Sequence, residues 1–546
     1  MQKNDIDKFK RLCYNDYVRY KRKYALFNLY KRAKRNLCKK QNKFQIERIR
    51  ISKTKLCEGG ISMSHYLAVD LGTTGCRSIL FDSKLNLISD SYREYALDTP
   101  KEKWAQQDAN LWWSLTVETA KEAIAKSKVD PKTIDGISIS SQGITVVGVD
   151  ENLNPLHPAI TWLDVRSEAQ AQRLEKEWGT RTAFTHTGKR IDPCYTLFKL
   201  LWIREEMPEV YEKAWKFLMP MDFLLAKFTG NCVTDHSMAS GTLLYDIKKQ
   251  CWSEEVLRKY DIPMEKLPAL QWSGDAAGTV LPEVAAELGL REDCVVAVGA
   301  QDQKCAALGV GLGDGIMTIS LGTAGAIEKL WTEAKSEGSV FVPWSSYARK
   351  GTWVTECVIN TAASALRWLR DTMFPGCDYD TITAEAYAAR ERGSSVLFYP
   401  FLNGPSGPNI YPEATGNFYG LSLASTRGDF ALAVLEGVAF QIRVILEAME
   451  AYGNGHTLVL FGGGSKGDRW CQIIADITGM KITVPVTSEA AGAGAAIMAG
   501  QGVGAFSREN PPSIPYGKVY LPGEYAAAYN EKYQKYCALE KKIWED

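Results

Sequence analysis

Two carboxylates sit where this chain could run phosphate chemistry. Asp70 ends a short apolar run, Tyr66-Leu67-Ala68-Val69, and is followed by Leu71-Gly72-Thr73-Thr74-Gly75. Glycines in such a turn let backbone N–H groups wrap an anion, and the threonine hydroxyls add donors. A carboxylate beside that cradle would repel bare phosphate, so Asp70 predicts a cation between them, most simply Mg²⁺ brought in with a nucleotide. Asp302 lies on the turn beyond a second apolar segment, Cys294 to Val298. Phosphoryl transfer to an alcohol needs a base within reach of the hydroxyl proton. Taken alone, an Asp at a strand end serves equally well as a helix N-cap.

The elements that would hold these groups occur in duplicate. Met317 to Leu321 is another short strand, and it enters a similar turn, Gly322-Thr323-Ala324-Gly325, 250 residues after the first (322 − 72). A third cluster, Gly462-Gly463-Gly464, follows the apolar run Leu458 to Phe461 and leads into a helix-like stretch, Trp470 to Thr478. One phosphate hairpin in each of two related halves is the simplest reading, with a nucleoside resting on the Gly463-Gly464 backbone. An ordinary Gly-rich β-hairpin is the plain alternative for either turn. No G-x-x-x-x-G-K-[ST] occurs, so a P-loop enzyme is excluded.

The chain resembles the FGGY family of carbohydrate kinases, within the actin, Hsp70 and hexokinase superfamily. The most specific match is Gly416-Asn417-Phe418-Tyr419-Gly420-Leu421 followed by Asp429 to Gly437. Trp104 to Asp108, Trp112-Trp113, Trp162-Leu163-Asp164-Val165-Arg166, Lys199 to Glu205, Asp222-Phe223-Leu224 and Thr229-Gly230 ahead of Thr234-Asp235 also match, in family order over roughly 64–540. The resemblance implies an α/β fold of two RNase-H-like domains with the active site in the cleft between them. Domain I would span 64–310 with the sugar site and first hairpin; domain II would span 311–540 with the second hairpin and adenosine platform. It also implies closure over the substrates, so that ATP is not lost to water.

Carried onto this sequence, the resemblance makes Asp302 the catalytic base and assigns Asp70 to Mg²⁺, through water. Gly72, Thr73, Thr74, Gly322, Thr323, Gly463 and Gly464 become ATP contacts; Gln142, Trp104, Trp162, Asp164 and Asp302 become sugar contacts. Asp164 and Asp222 would serve equally well as a cap or an ion-pair partner. Within the family the Trp-x-Asp-x-Arg segment and the Leu-Leu-Trp-Ile-Arg-Glu element look most like xylulokinases, which implies D-xylulose as substrate and D-xylulose 5-phosphate as product. Two departures put that substrate in question. The substrate loop is Gln142-Gly143-Ile144-Thr145, without the polar pair that follows the glutamine in relatives, and Leu402-Asn403-Gly404-Pro405-Ser406-Gly407-Pro408 replaces a charged motif. Loss of a polar contact can change discrimination by orders of magnitude. Erythrulose, erythritol, ribulose, gluconate and a deoxy sugar are the alternatives within the family. A non-catalytic sugar sensor and a chaperone- or actin-like ATPase are the rivals outside it.

Composition is that of a globular enzyme, with no apolar run of about 18 residues to span a bilayer. Thirteen cysteines without a C-x-x-C pair argue against a disulfide framework or structural zinc, and for a reducing cytoplasm. Neither membrane nor nucleic acid is an expected partner, and a homodimer is compatible with the reading. The first 62 residues differ from the rest: 19 Lys/Arg against 5 Asp/Glu give +14, leaving −13 for the remainder of a chain whose net charge is +1. Glu58-Gly59-Gly60-Ile61-Ser62-Met63 is what a ribosome-binding sequence and start codon would encode, so translation is expected to begin at Met63. A disordered basic arm and a targeting segment are the alternatives.

Overall fold

The computed structural model describes residues 64–335, 342–404, 407–408, 411, 413–450 and 456–545; the basic leader and Met63 lie outside them. Two mixed sheets organise the described chain. The first contains β1 (His65–Leu71), β2 (Gly75–Asp82), β3 (Leu87–Glu94), β4 (Ile134–Ser141), β5 (Ala276–Thr279) and β6 (Val295–Gln301), in the order β5-β6-β4-β1-β2-β3. The second contains β7 (Ile316–Leu321), β8 (Gly325–Trp331), β9 (Trp344–Ser346), β10 (Trp353–Ile359), β11 (Thr457–Phe461), β12 (Lys481–Pro485) and β13 (Tyr516–Tyr520), in the order β9-β10-β8-β7-β11-β12-β13.

Apart from β9, the two sheets share the same strand order and pairing directions. Three antiparallel strands (β1-β2-β3, β7-β8-β10) are followed by two parallel ones (β4 and β6, β11 and β12) and an antiparallel edge. This is the two-domain α/β fold that the duplicated hairpins predict. β1 is buried along nearly its whole length, which is why it reads as a continuous apolar run instead of alternating.

Helix α1 (Ala109–Ser127) packs on β2 and β3, and the helices that follow β6 and β12 pack against each other: α2 (Asp302–Gly309) and α4 (Ala490–Gly502). A Cβ on Gly309 would lie 2.1 Å from the Ala490 carbonyl oxygen, and one on Gly494 would lie 1.9 Å from that of Cys305. Only glycine permits this approach. The family-signature segment forms the start of α3 (Arg427–Ala448), where Thr426 and Asp429 make a reciprocal capping box. Further along, a Cβ on Gly437 would lie 2.2 Å from the Phe398 carbonyl oxygen. Those signature residues are explained by helix start and close packing.

Much of residues 146–267, between β4 and β5, builds an additional lobe with its own apolar core, which includes Phe184, Phe198, Tyr245 and Trp344 of the second sheet's edge, while Leu218 to Val233 pack largely into the first sheet's core. Edge strand β9 seats on that lobe, with Trp344 N–H donating to the Gly188 carbonyl (2.9 Å) and Ser346 N–H to Ser240 Oγ (3.0 Å).

Candidate active site

Strands β1, β4 and β6 run parallel, with Asp70 opposite Ser140 and Gln301 opposite Ser141. Their C-terminal ends therefore open on one edge of the sheet, where ligands of parallel sheets gather. The β1–β2 turn is closed by Gly72 N–H to the Gly75 carbonyl (2.9 Å), with Thr73 and Thr74 at its tip. Several side chains fix it from outside. Gln107 Nε2 donates to the Thr73 carbonyl (2.6 Å), Trp162 Nε1 to Thr73 Oγ1 (2.8 Å), and Tyr95 OH to the Gly72 carbonyl.

Asp302 is the first residue of α2, after Gln301 as N-cap, so the helix N-terminus carries it. Its Oδ1 accepts from its neighbour's amide, Gln303 N–H (2.6 Å), and from the Gln301 side chain. No described residue bonds Oδ2. Burial raises the Asp302 carboxyl to about 7, reinforced by the negative charge of Asp70. Asp302 nevertheless keeps part of its surface open, to a cavity of about 640 Å³ that it lines with Thr73, Gln142, Ile144 and Trp162. From the second sheet Ser320, Ala326, Ser345 and Glu356 complete that cavity, so both halves build it.

Asp70 is held by Ser140 Oγ, which donates to its Oδ1 (2.8 Å), and burial raises its carboxyl. An oxygen donor beside a second carboxylate fits a hard divalent cation. Among the described residues no group of three His, Cys, Asp or Glu could hold a metal, so waters and phosphate oxygens would have to complete its shell.

The second hairpin is anchored differently: the Gly322 carbonyl accepts from Ala363 N–H (2.9 Å), and the Thr323 carbonyl from Ala362 N–H (3.0 Å) and Ser364 Oγ (2.7 Å). The glycine cluster abuts this hairpin. A Cβ on Gly464 would lie 2.6 Å from Leu321 Cδ2, whereas one on Gly463 would meet nothing within 4 Å. Gly463 is thus the open face of the cluster and Gly464 its packed face.

The cavity gathers Thr73, Gln142, Trp162 and Asp302 from the expected set, but not Trp104 or Asp164, and Asp70, Gly72, Thr74, Gly322, Thr323, Gly463 and Gly464 are likewise not among the residues lining it. Trp104 is covered by the Arg166 guanidinium, 3.7 Å from its ring, and meets Trp202 edge-on. Asp164 is fully buried, bridging Arg166 Nη2 (2.7 Å) and Ala105 N–H (2.6 Å). Both are committed to the lobe's framework. Asp222, likewise fully buried, accepts from Met219 N–H (2.9 Å) as part of a capping box.

Gln142 borders the cavity, yet its amide is spent internally: Nε2 donates to Gln107 Oε1 (2.9 Å) and the Gly72 carbonyl (3.3 Å), and Thr145 Oγ1 donates to its Oε1 (3.3 Å). It ties the substrate loop to the first hairpin. Ile144 carries φ = 68°, a strained conformation for a β-branched residue. Its carbonyl accepts from Thr196 Oγ1 (2.9 Å), which holds that strained turn and its apolar side chain at the cavity.

The motif reading missed Lys189, Arg190, Lys304 and Glu356, all lining the cavity. Lys189 Nζ donates to Ser345 Oγ across the halves (2.7 Å), and burial lowers its ammonium to about 8. Lys304 follows Asp302 by two residues, a proximity visible in the sequence; the approach of Glu356 is not.

A duplicated α/β fold whose two halves share one cavity, with a carboxylate on a helix N-terminus facing it, defines a two-domain phosphotransferase with an alcohol acceptor. Residues 65–309 match the N-terminal domain of the FGGY family of carbohydrate kinases, and residues 317–502 match its C-terminal domain. The chain belongs to that family. It is 31% identical over 446 residues to the xylulose kinase of Bacillus subtilis (strain 168), covering 81% of this chain and 89% of the relative. Among solved structures, a xyloylose kinase from Brucella ovis is similar at a TM-score of 0.80 and 30% identity, covering 88% of this chain and 99% of that one. A gluconate kinase from Lactobacillus acidophilus is similar at 0.81 and 25% identity, covering 88% and 98%. The protein is a carbohydrate kinase, and ATP is the phosphate donor of its family. Among the described residues no helix is long and apolar enough to cross a membrane.

Proposed function

We propose that this kinase transfers the γ-phosphoryl group of ATP to the terminal hydroxyl of D-xylulose, in the cytoplasm, with Asp302 as the base. The carrying observation is the cavity-facing Asp302 with its carboxyl near 7, a value suited to accepting a proton at neutral pH. As the sugar oxygen bonds to the γ-phosphorus, its proton passes to Asp302 Oδ2, the bond from γ-phosphorus to the bridging oxygen breaks, and ADP leaves. Asp302 then returns the proton to solvent. The first hairpin (Gly72, Thr73, Thr74) and the second (Gly322, Thr323) hold the phosphates between them, and the adenosine rests over Gly463 and Gly464. Asp70, oriented by Ser140, would hold a divalent cation, which would supply charge neutralisation on the phosphates. Trp162, with its Nε1–H tied to Thr73, offers its ring to the sugar.

The similarity to xylulose kinases supports D-xylulose as substrate. A second reading, gluconate, is favoured by the two cations Lys189 and Arg190 at the cavity and by the likeness to a gluconate kinase. An ADP-release assay over D-xylulose, ribulose, erythrulose, gluconate and glycerol decides between them, with D-xylulose expected to have the highest kcat/KM. A gluconate or glycerol value about tenfold above it overturns the D-xylulose reading.

A further inference from the structure

Glu328 on β8 and Glu356 on β10 are direct cross-strand partners in antiparallel register. Like charges placed opposite one another destabilise a sheet, and a buried carboxylate is costly without a partner. Relief comes from the other half of the molecule. Lys304, the third residue of α2, brings its ammonium to 3.1 Å from Glu328 and into direct contact with Glu356. Burial and the neighbouring Glu356 charge push the Glu328 carboxyl up. Burial also pushes Glu356 upward, but the Lys304 ammonium outweighs it and keeps that carboxyl low. Lys304 thus leaves Glu356 the more readily ionised of the two carboxyls.

The exposures of the three side chains separate their roles. Lys304 and Glu328 are 4% and 3% exposed, while Glu356 keeps 22% of its side chain open, and it lines the cavity. An arrangement serving stability alone would be met at least as well by an apolar cross-strand pair. Here one carboxylate, oriented by Lys304, faces the substrate cavity instead. On the first half's side of that cavity, Gly143 and Ile144 present no polar side chain while Asp192, Tyr195 and Ser237 do, and Glu356 adds a carboxylate from the second half.

We propose that Glu356, contributed by the second half, is a specificity-determining residue that accepts hydrogen bonds from substrate hydroxyls other than the one phosphorylated, and that Lys304 is the positioning residue that holds it. The proposal rests on the carbohydrate-kinase assignment and deepens it, but not on the identity of the sugar. A carboxylate has about four lone-pair sites, so one bonded to Lys304 can still accept from a sugar.

The test uses Glu356→Gln in the full chain, read with whichever substrate of the panel above the wild type handles best. Glutamine leaves Lys304 paired with Glu328. The expected result is a sugar KM raised by about tenfold or more, with kcat and the ATP KM within about threefold. Glu328→Gln, whose side chain stays away from the cavity, should change the sugar KM less than about threefold. Equal effects of the two variants, or an unchanged sugar KM in Glu356→Gln, overturn the proposal and leave the cluster structural. Should Glu356→Gln not fold, Glu356→Asp keeps the charge and withdraws it by one methylene. A selective rise in its sugar KM supports the proposal, and none overturns it. If gluconate is the best wild-type substrate, the D-xylulose reading fails separately, while the Glu356 comparison is still read on gluconate.

Discussion

Asp70, near the end of β1, and Asp302, just beyond β6, face the same sheet edge although β4 lies between their strands. Parallel pairing of β4 with both neighbours puts their C-terminal ends together. Burial and the charge of Asp70 then raise Asp302 into the range where a general base works best at neutral pH.

Asp302→Asn keeps the side-chain shape and removes the proton acceptor, so kcat should fall by at least ~10² with both KM values within a few-fold. Stability should move the opposite way. The folded carboxyl titrates near 7 against an ordinary 3.8, so its contribution is fully present below pH 3.8 and is lost as pH rises through 7. The asparagine variant has no such loss. Its Tm should exceed that of the wild type at pH 8 by a few degrees, about 1–2 kcal/mol after discounting for solvent screening, and the gap should close towards pH 5. An unchanged kcat would sink the base assignment.

Gly463 and Gly464 should separate nucleotide binding from packing. A methyl at Gly463 enters open space, so Gly463→Ala should leave Tm within about 1 °C while raising the ATP KM several-fold. A methyl at Gly464 runs into Leu321, so Gly464→Ala should cost about 1–3 kcal/mol, read as a lower Tm. If Gly463→Ala leaves the ATP KM untouched, the adenosine does not rest there.

Trp162 and Trp104 give a second contrast. Trp162 lines the cavity, is 40% exposed and steadies Thr73, so Trp162→Ala should raise the sugar KM by about tenfold with a small change in Tm. Trp104 is packed on Arg166 and Trp202, so Trp104→Ala should lower stability by about 2–4 kcal/mol and leave the sugar KM near wild type. Thermal melts and steady-state kinetics on the two variants distinguish the roles; a Trp104 variant with normal Tm and a raised sugar KM would reverse them.

Local features of the chain were legible without coordinates. The buried β1, the two Gly-Thr turns and the helix expected over Trp470 to Thr478, which begins two residues earlier at Asp468, follow from apolar runs and glycine placement, because strand burial and tight turns constrain neighbouring residues directly. The duplication was visible too, since each half repeats the same strand and turn. The departures that put the substrate in question were legible as well, at Gly143 and Ile144, which carry no polar side chain, and in the uncharged loop from Leu402 to Pro408.

Tertiary structure decided what depends on partners distant in the chain. Asp164 shares a motif with the cavity residue Trp162 and Trp104 lies in another matched segment, yet Arg166 and Trp202 claim them for the lobe's interior. The amide of Gln142 is consumed by Gln107 and Gly72, which no spacing announces. The Glu328–Lys304–Glu356 cluster is the clearest case. Opposing the two glutamates requires the register of β8 against β10, and bringing Lys304 to them requires α2 of the first half to meet the second sheet. A sequence specifies turns and burial through near neighbours; which charges meet across a cleft is set only when separate sheets are packed together.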